Sequence, residues 1–506
     1  MGNVLYDGLF APHLGRNTPF LVSPTGHSVT YDAFLKLAAG FAHTLVAQGV
    51  RPGDRVALQI AKSPEALALY AACVQCGAIY LPLNVAYTPT ELAYFVEDAA
   101  PHLILCDDAS YDDLRPIAAV AGARLLTLNA DGTGSFADAA SSAPETFATL
   151  PRDGTDLAAF LYTSGTTGRS KGAMLSHDNL LSNAQVLKDT WEFTDQDRLL
   201  HALPIFHTHG LFVATNVALL ASSSMVFLPS FGADDVIAAL PQCTAMMGVP
   251  TFYTRLLGDP RFNKALVAHM RVFISGSAPL LADTHKEFEA RTGHRILERY
   301  GMTETNMISS NPLHGERRAG TVGFALPGID LRIADPESGK PLPDGEIGVI
   351  ELKGPNVFQG YWQMPEKTRA EFRDDGYFIT GDLAVIDEAG YLQIVGRARD
   401  LIISGGYNIY PKEVELLLDE QAGVKESAVF GVPHPDFGEA VVGVIVAHSD
   451  TVLDTAAIMA DIKGKIARFK QPKQLFIEQE LPRNTMGKVQ KNVLRERYMS
   501  VFSKAS

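Results

Sequence analysis

The residues best equipped for chemistry form one run, Leu161-Tyr162-Thr163-Ser164-Gly165-Thr166-Thr167-Gly168-Arg169-Ser170-Lys171-Gly172. The apolar residues 157–161 in front of it read as a buried strand. Glycines let a backbone turn tightly and bring its N–H groups close to a ligand. The hydroxyls add donors, and Arg169 and Lys171 add positive charge, so the run suits a polyphosphate. It is not the P-loop of nucleotide triphosphatases, which needs Gly-x-x-x-x-Gly-Lys-Ser/Thr. Here Gly172 follows Lys171, and no hydroxyl stands in the usual Mg²⁺ position. A Ser/Thr/Gly stretch is also common solvated loop chemistry, so the decision rests on the rest of the chain.

The elements that must position this run alternate. Residues 55–60 read as a strand, 64–76 as a helix, 78–81 as a strand and 102–106 as another. Thr88-Pro89-Thr90-Glu91 is a capping box with proline at the first helical position. Such βαβα order predicts an α/β fold, a mostly parallel sheet with helices on both faces. Residues 128–156, rich in Ala, Ser, Gly and Asp, read as a surface excursion. From Ile347 the strands become short and glycine-punctuated, predicting a β-rich subdomain with hairpins. After Asp400 a new alternation begins: strands at 401–403, 427–432 and 441–447, helices at 411–418 and 455–467. The expected domains are therefore 1–400, large and built of βαβ subdomains plus the β-rich one, and 401–506, small and α+β.

The length of 506 residues agrees with two or three domains. With 43 basic against 57 acidic residues the net charge is −14, which argues against a nucleic-acid or anionic-membrane partner. Any anion site must then be a local basic pocket. The N-terminus lacks the charged start and apolar core of a signal peptide, and no lipidation or peroxisomal signal is evident. Residues 66–83 are uncharged but carry Gln75, Gly77 and Pro82, and read as a buried helix running into a strand. A cytoplasmic location is expected. Cys73, Cys76, Cys106 and Cys243 fit a reducing compartment, and the lone C-x-x-C reads as helix packing.

Further motifs recur downstream in order: Tyr300-Gly301-Met302-Thr303-Glu304, Thr380-Gly381-Asp382, Gly396-Arg397-Ala398-Arg399-Asp400, Pro411-Lys412-Glu413-Val414-Glu415, and Pro482-Arg483-Asn484-Thr485-Met486-Gly487-Lys488. With the first run they resemble the adenylate-forming superfamily of acyl-CoA synthetases, peptide-synthetase adenylation domains and luciferases, over nearly the full chain. That resemblance implies attack of a carboxylate on the α-phosphorus of ATP, then thiol capture of the acyl-adenylate by coenzyme A. An anion approaches a polyanion, so positioning and cationic stabilisation must do most of the catalysis.

In that scheme Thr163, Ser164, Gly165, Thr166, Thr167, Gly168 and Lys171 wrap the phosphates. Glu304 is the Mg²⁺ ligand or its supporting carboxylate, although a surface carboxylate near a helix start is the plain alternative. Tyr300, with Gly301, Met302 and Thr303, faces adenine, unless it is a core tyrosine. Asp382 accepts from both ribose hydroxyls, with Arg397 nearby; Thr-Gly-Asp is also turn chemistry. Lys488 is the catalytic lysine, reaching the carboxylate and the α-phosphate together, against a solvated basic tail. Asp400 is the hinge about which a mobile C-terminal domain rotates. Gly405 and Gly406 then pass the pantetheine arm, or form only a turn. Family enzymes are often controlled by acetylation of this lysine, which implies an acetyltransferase and a deacetylase as partners.

The acyl pocket departs from common fatty and aryl synthetases. Glu298-Arg299 precedes the Tyr300 motif where small residues are usual, so Arg299 should shorten the pocket. Arg255, His207 and Ser277 take other pocket-lining positions, with Thr208 and Met307 as further walls. Two arginines beside a short pocket imply an acid with a second carboxylate. The best fit is malonate, and the motif details resemble malonyl-CoA synthetases. Arg255 as a helix-surface residue and Arg299 as an outward ion-pair partner stay open. So do another acyl- or aryl-CoA ligase, a stand-alone amino-acid adenylation module, and a non-catalytic nucleotide-binding protein.

Overall fold

The computed structural model describes residues 2–163, 170–404, 407–449, 451–463, 465–484 and 487–502. They form two compact units. The first comprises Met1–Ala319, Phe324–Ile329 and Lys353–Phe372; the second comprises Gly320–Gly323, Asp330–Leu352 and Arg373–Ser506. Asp400, where the sequence reading places its boundary, lies inside the second unit, together with most of the glycine-punctuated strands.

Two sheets build the first unit. A six-stranded sheet runs, in spatial order, Arg124–Thr127, Leu103–Cys106, Arg55–Gln59, Ile79–Pro82, Leu157–Thr163 and Lys171–Ser176. All neighbours are parallel except the last pair. The helix Pro64–Cys76 is buried at every position from Ala66 to Cys76, which explains its unbroken apolar run. The helix Pro89–Ala99 starts at the Thr88/Glu91 capping box, with both reciprocal bonds present.

The nine-stranded sheet places Leu297–Met302, Val272–Ser275, Ala245–Gly248 and Arg198–His201 side by side and parallel. Antiparallel pairs close its two edges. Its core gathers Leu200, Met246, Tyr253, Phe273 and Phe288. In such sheets ligand-binding residues gather beyond the carboxyl ends of parallel strands.

The second unit has a four-stranded sheet of Asp330–Ala334, Gly348–Lys353, Phe378–Ile386 and Leu392–Arg397, the last three antiparallel to one another in turn. Glu351 within it is 0 % exposed and takes Arg332 and Arg373, each at 2.7 Å. A five-stranded sheet follows, centred on Gly438–Ala447, with the helix Pro411–Asp419 against Val424–His434. The helix expected over 455–467 ends at Ile462. Among the described residues no helix is long and apolar enough to cross a membrane. All four cysteines are free and buried.

The surface excursion expected over 128–156 needs correction. It contains the helix Ser135–Ala140, anchored by Phe136, which is 0 % exposed and packs edge-on against Phe41 at 5.2 Å. Six residues are too few to be helical in isolation, so packing of this one aromatic stabilises the turn. Phe136→Ala should lower stability by about 3–5 kcal/mol. An unchanged urea midpoint in that variant would show the anchor to be dispensable.

Candidate active site

The run expected to bind phosphate starts from a hairpin. Leu157–Thr163 pairs antiparallel with Lys171–Ser176, and Thr163 and Lys171 are the last register partners. Ser164, Gly165, Thr166, Thr167, Gly168 and Arg169 lie outside the described residues. A Cβ on Gly172 would stand 2.9 Å from the Phe160 ring and 3.3 Å from Trp362, so only glycine lets these segments approach. Residues 359–362 pair along Lys171–Ser176 through Gln359 N to Met174 O, Met174 N to Gly360 O and Trp362 N to Gly172 O, at 2.8–3.0 Å.

That pairing sets the Tyr361 ring under Lys171, whose Nζ lies 4.2 Å from the ring centroid. The same Nζ donates to Glu371 Oε1 at 3.0 Å, and Lys367 reaches that oxygen at 2.8 Å. The Tyr361 hydroxyl lies 2.5 Å from Glu371 Oε2 and 3.0 Å from Glu304 Oε1. Burial, then the Glu304 and Glu371 charges, push its pKa far up, so it keeps its proton and can donate it to either carboxylate. Burial alone would raise the Glu371 carboxyl, but Lys367, Tyr361 and Lys171 outweigh it and hold it below the usual range. Tyr361 and Glu371 are absent from the sequence reading. Glu371 is 200 residues from Lys171, and no local pattern joins them.

Leu297–Met302 and Asn306–Ser310 form the second hairpin. It places Tyr300, Gly301, Met302 and Thr303 half-buried along one strand and its turn. A Cβ on Gly301 would overlap the Asn306 carbonyl and stand 2.8 Å from Met307 Cα. Glu304 sits in the turn, not near a helix start, and is 5 % exposed. Among the described residues no group of three or more His, Cys, Asp or Glu could hold a metal. A single buried carboxylate fits Mg²⁺, whose remaining positions are filled by phosphate oxygens and waters.

The expected acyl residues follow the carboxyl ends of the parallel strands. Arg299 is 3 % exposed, and its Nε and Nη2 have no hydrogen-bond partner among the described residues. Its guanidinium lies against Gly276, where a Cβ would come within 2.6 Å of Nε. Burial pushes its pKa down to about 9, so it stays charged at neutral pH. His207, half-buried, is pushed to about 4 by burial and by Arg299, and is neutral. His209, missed in the sequence reading, is lowered further by the same causes. It opens a seven-residue π-helical segment, His209–Thr215, and its Nδ1 lies 3.2 Å from Ser277 Oγ. Ser277 holds φ +72°, a strained value for a non-glycine residue.

Arg255 corrects the expectation of two buried guanidiniums. On the helix Pro250–Leu257 the inward positions go to Tyr253, Leu256 and Leu257, and helical periodicity turns Arg255 out to solvent.

In the second unit Asp382 and Arg397 are cross-strand partners, with Arg397 Nε 2.7 Å from Asp382 Oδ1. Lys488 is half-buried in the same unit. Burial, then Arg397, lower its pKa to about 8, with Asp382 opposing. Its loop is closed by Asn484, which accepts Lys488 N at 2.9 Å, and by Gly487 at φ +74°. Arg483 donates to Gly487 O and pairs with Glu426. Asp400 Oδ1 meets Arg495 at 3.3 Å. Gly405 and Gly406 lie outside the described residues.

Residues 12–362 match the AMP-binding enzyme family and residues 413–488 match the AMP-binding enzyme C-terminal domain. The chain belongs to the AMP-binding enzyme family. It is 35 % identical over 481 residues to a malonate–CoA ligase of Arabidopsis thaliana, covering 88 % of this chain and 78 % of that protein. It is 36 % identical over 478 residues to a feruloyl-CoA synthase of an Amycolatopsis species, covering 94 % of each. The crystal structure of ATP-bound MatB from Rhodopseudomonas palustris is 56 % identical, with a TM-score of 0.97 over 99 % of this chain and 100 % of that one.

A cationic role for Lys488 requires its proton, which is lost as pH rises through about 8. ATP–pyrophosphate exchange at saturating substrates should therefore decline across that pH. An exchange rate flat to pH 10 would take Lys488 out of the first half-reaction.

Proposed function

We propose that this AMP-binding enzyme is an ATP-dependent malonyl-CoA synthetase, an AMP-forming acid–thiol ligase. One malonate carboxylate oxygen bonds to the α-phosphorus of ATP as the bond to pyrophosphate breaks. The coenzyme A thiolate then attacks the acyl carbon, forming the thioester as the bond to AMP breaks.

The observation that carries the choice of acid is Arg299. A buried, charged guanidinium with two nitrogens unpartnered among the described residues is costly, and an incoming carboxylate relieves that cost. The neutral His207 and His209 add hydrogen-bonding capacity without a competing charge. A monocarboxylate spends its only anion on adenylation; a short diacid keeps a second for Arg299. Ser277, whose Oγ lies 3.2 Å from His209 Nδ1, belongs to the same proposal, whereas Arg255, exposed to solvent, drops out of it.

Thr163 to Lys171 would cradle the phosphates, and Glu304 would hold Mg²⁺, which neutralises phosphate charge when bound. Tyr300 offers its ring to adenine with Gly301, Met302 and Thr303 around it. Asp382, oriented by Arg397, takes the ribose hydroxyls. Lys488 stabilises charge at the reacting phosphate, Asp400 serves as hinge, and Gly405 and Gly406 pass the pantetheine arm. Acetylation of Lys488 would remove its charge and stop adenylation, so an acetyltransferase and a deacetylase are the expected regulators. The four free thiols suit a cytoplasmic setting.

Arg299→Gln should lower kcat/KM for malonate at least about 30-fold, the low end for leaving one charge of a buried pair alone. Pyrophosphate release measured with malonate, methylmalonate, acetate and benzoate tests the acid. A wild-type preference for either monocarboxylate would sink the assignment. Lys488→Ala should abolish adenylation while still turning over preformed malonyl-adenylate with coenzyme A.

A further inference from the structure

Lys171 and Glu304, taken above as the phosphate and metal contacts, are joined by two residues with no role so far. The Lys171 ammonium lies on the Tyr361 ring and pairs with Glu371; the Tyr361 hydroxyl faces both Glu371 and Glu304. Tyr361 is 3 % exposed, and the Lys171 and Glu371 side chains are 12 % and 19 % exposed. The arrangement is fixed on backbone. Residues 359–362 are bonded to Lys171–Ser176, and Phe358 N donates to the Glu304 carbonyl at 2.8 Å. By contrast the buried Tyr253 hydroxyl ends on a backbone carbonyl, that of Ile274, as an ordinary core tyrosine does.

We propose that Glu304, Tyr361, Glu371 and Lys171 form a relay that makes the grip on nucleotide phosphate and the grip on a divalent cation interdependent, with Tyr361 and Glu371 as positioning residues. A phenol has one proton and cannot donate it to two carboxylates at once. It turns to the carboxylate carrying more negative charge. A cation on Glu304 reduces the charge there, so Tyr361 donates to Glu371, and Glu371 pulls less on Lys171. The ammonium is then freer to meet phosphate. In the reverse sense, phosphate draws Lys171 away, Glu371 accepts the hydrogen bond from the Tyr361 hydroxyl, and Glu304 keeps its full charge for the cation. The two effects must be equal in magnitude, because coupling between binding sites is reciprocal.

The relay rests on the reading that Lys171 and Glu304 serve Mg·ATP, and binding to the full chain separates the two claims. ATP affinity is measured by calorimetry in EDTA and in Mg²⁺, without acid or coenzyme A, and Mn²⁺ affinity by electron paramagnetic resonance with and without ATP. Tyr361→Phe keeps the ring under Lys171 and removes the shared proton. The ratio of affinities with and without metal should shrink about fivefold or more relative to wild type, the lower range of site–site coupling. Glu371→Gln keeps the shape and removes the competing charge; metal-free ATP should bind more tightly and the ratio should again shrink. The Mn²⁺ titration should show the same loss of coupling. Thermal melts confirm folding, and Glu371→Gln decides the matter should the phenylalanine variant not fold. Equal changes with and without metal overturn the relay and leave the site reading standing. Failure of the wild-type chain to bind ATP overturns the reading itself, and the relay with it.

Discussion

A guanidinium shut away from water must meet an anion or raise the free energy of the fold. Around Glu351 the chain meets that rule within itself. Glu351, fully buried, is clasped by Arg332 and Arg373, and Arg332 also reaches Asp375 and stacks on Tyr377. At Arg299 no ion pair of that kind is found among the described residues. The absence of a side chain on Gly276 leaves room for the guanidinium, the flanking histidines are kept neutral partly by its charge, and two of its nitrogens are unpartnered among the described residues. The acid-binding role proposed for Arg299 rests on that charge.

The same logic grades the other functional cations in a chain of net charge −14. Lys171 is balanced by Glu371, and Lys488 feels Asp382 and Asp400 against Arg397 and Arg399. Each is therefore compensated to a different degree. Lys171 can exchange one anion for another with little change in local charge, whereas an anion arriving at Arg299 changes the balance outright. Binding selectivity should concentrate where the imbalance is largest.

Much of the framework was legible because it depends on local order. The helix Pro64–Cys76 follows from an apolar run with Ser63 and Pro64 at its start, and the helix Pro89–Ala99 from its capping box. The motif residues could be named because their order is itself the signal. What could not be read depends on contacts distant in sequence. Glu371 meets Lys171 only because residues 359–362 form an added edge on the hairpin, and nothing in the local pattern marks that pairing. Phe136 was hidden in an alanine- and serine-rich stretch whose composition resembles loop. Arg255 misled because its neighbourhood pointed to the acyl site while helical phase pointed its side chain to solvent.

The positions of the two chemistries suggest why they can vary separately. His207, Ser277 and the helix bearing Arg255 follow the carboxyl ends of Arg198–His201, Val272–Ser275 and Ala245–Gly248, three parallel strands whose trailing loops change without disturbing the sheet. Lys171 and Glu304 instead belong to antiparallel hairpins crowded by Gly172 and Gly301, where one added methyl collides with backbone or an aromatic ring. Loop ends tolerate exchange, and crowded hairpins do not. Arg299, one strand position before Tyr300, stands where these two settings meet.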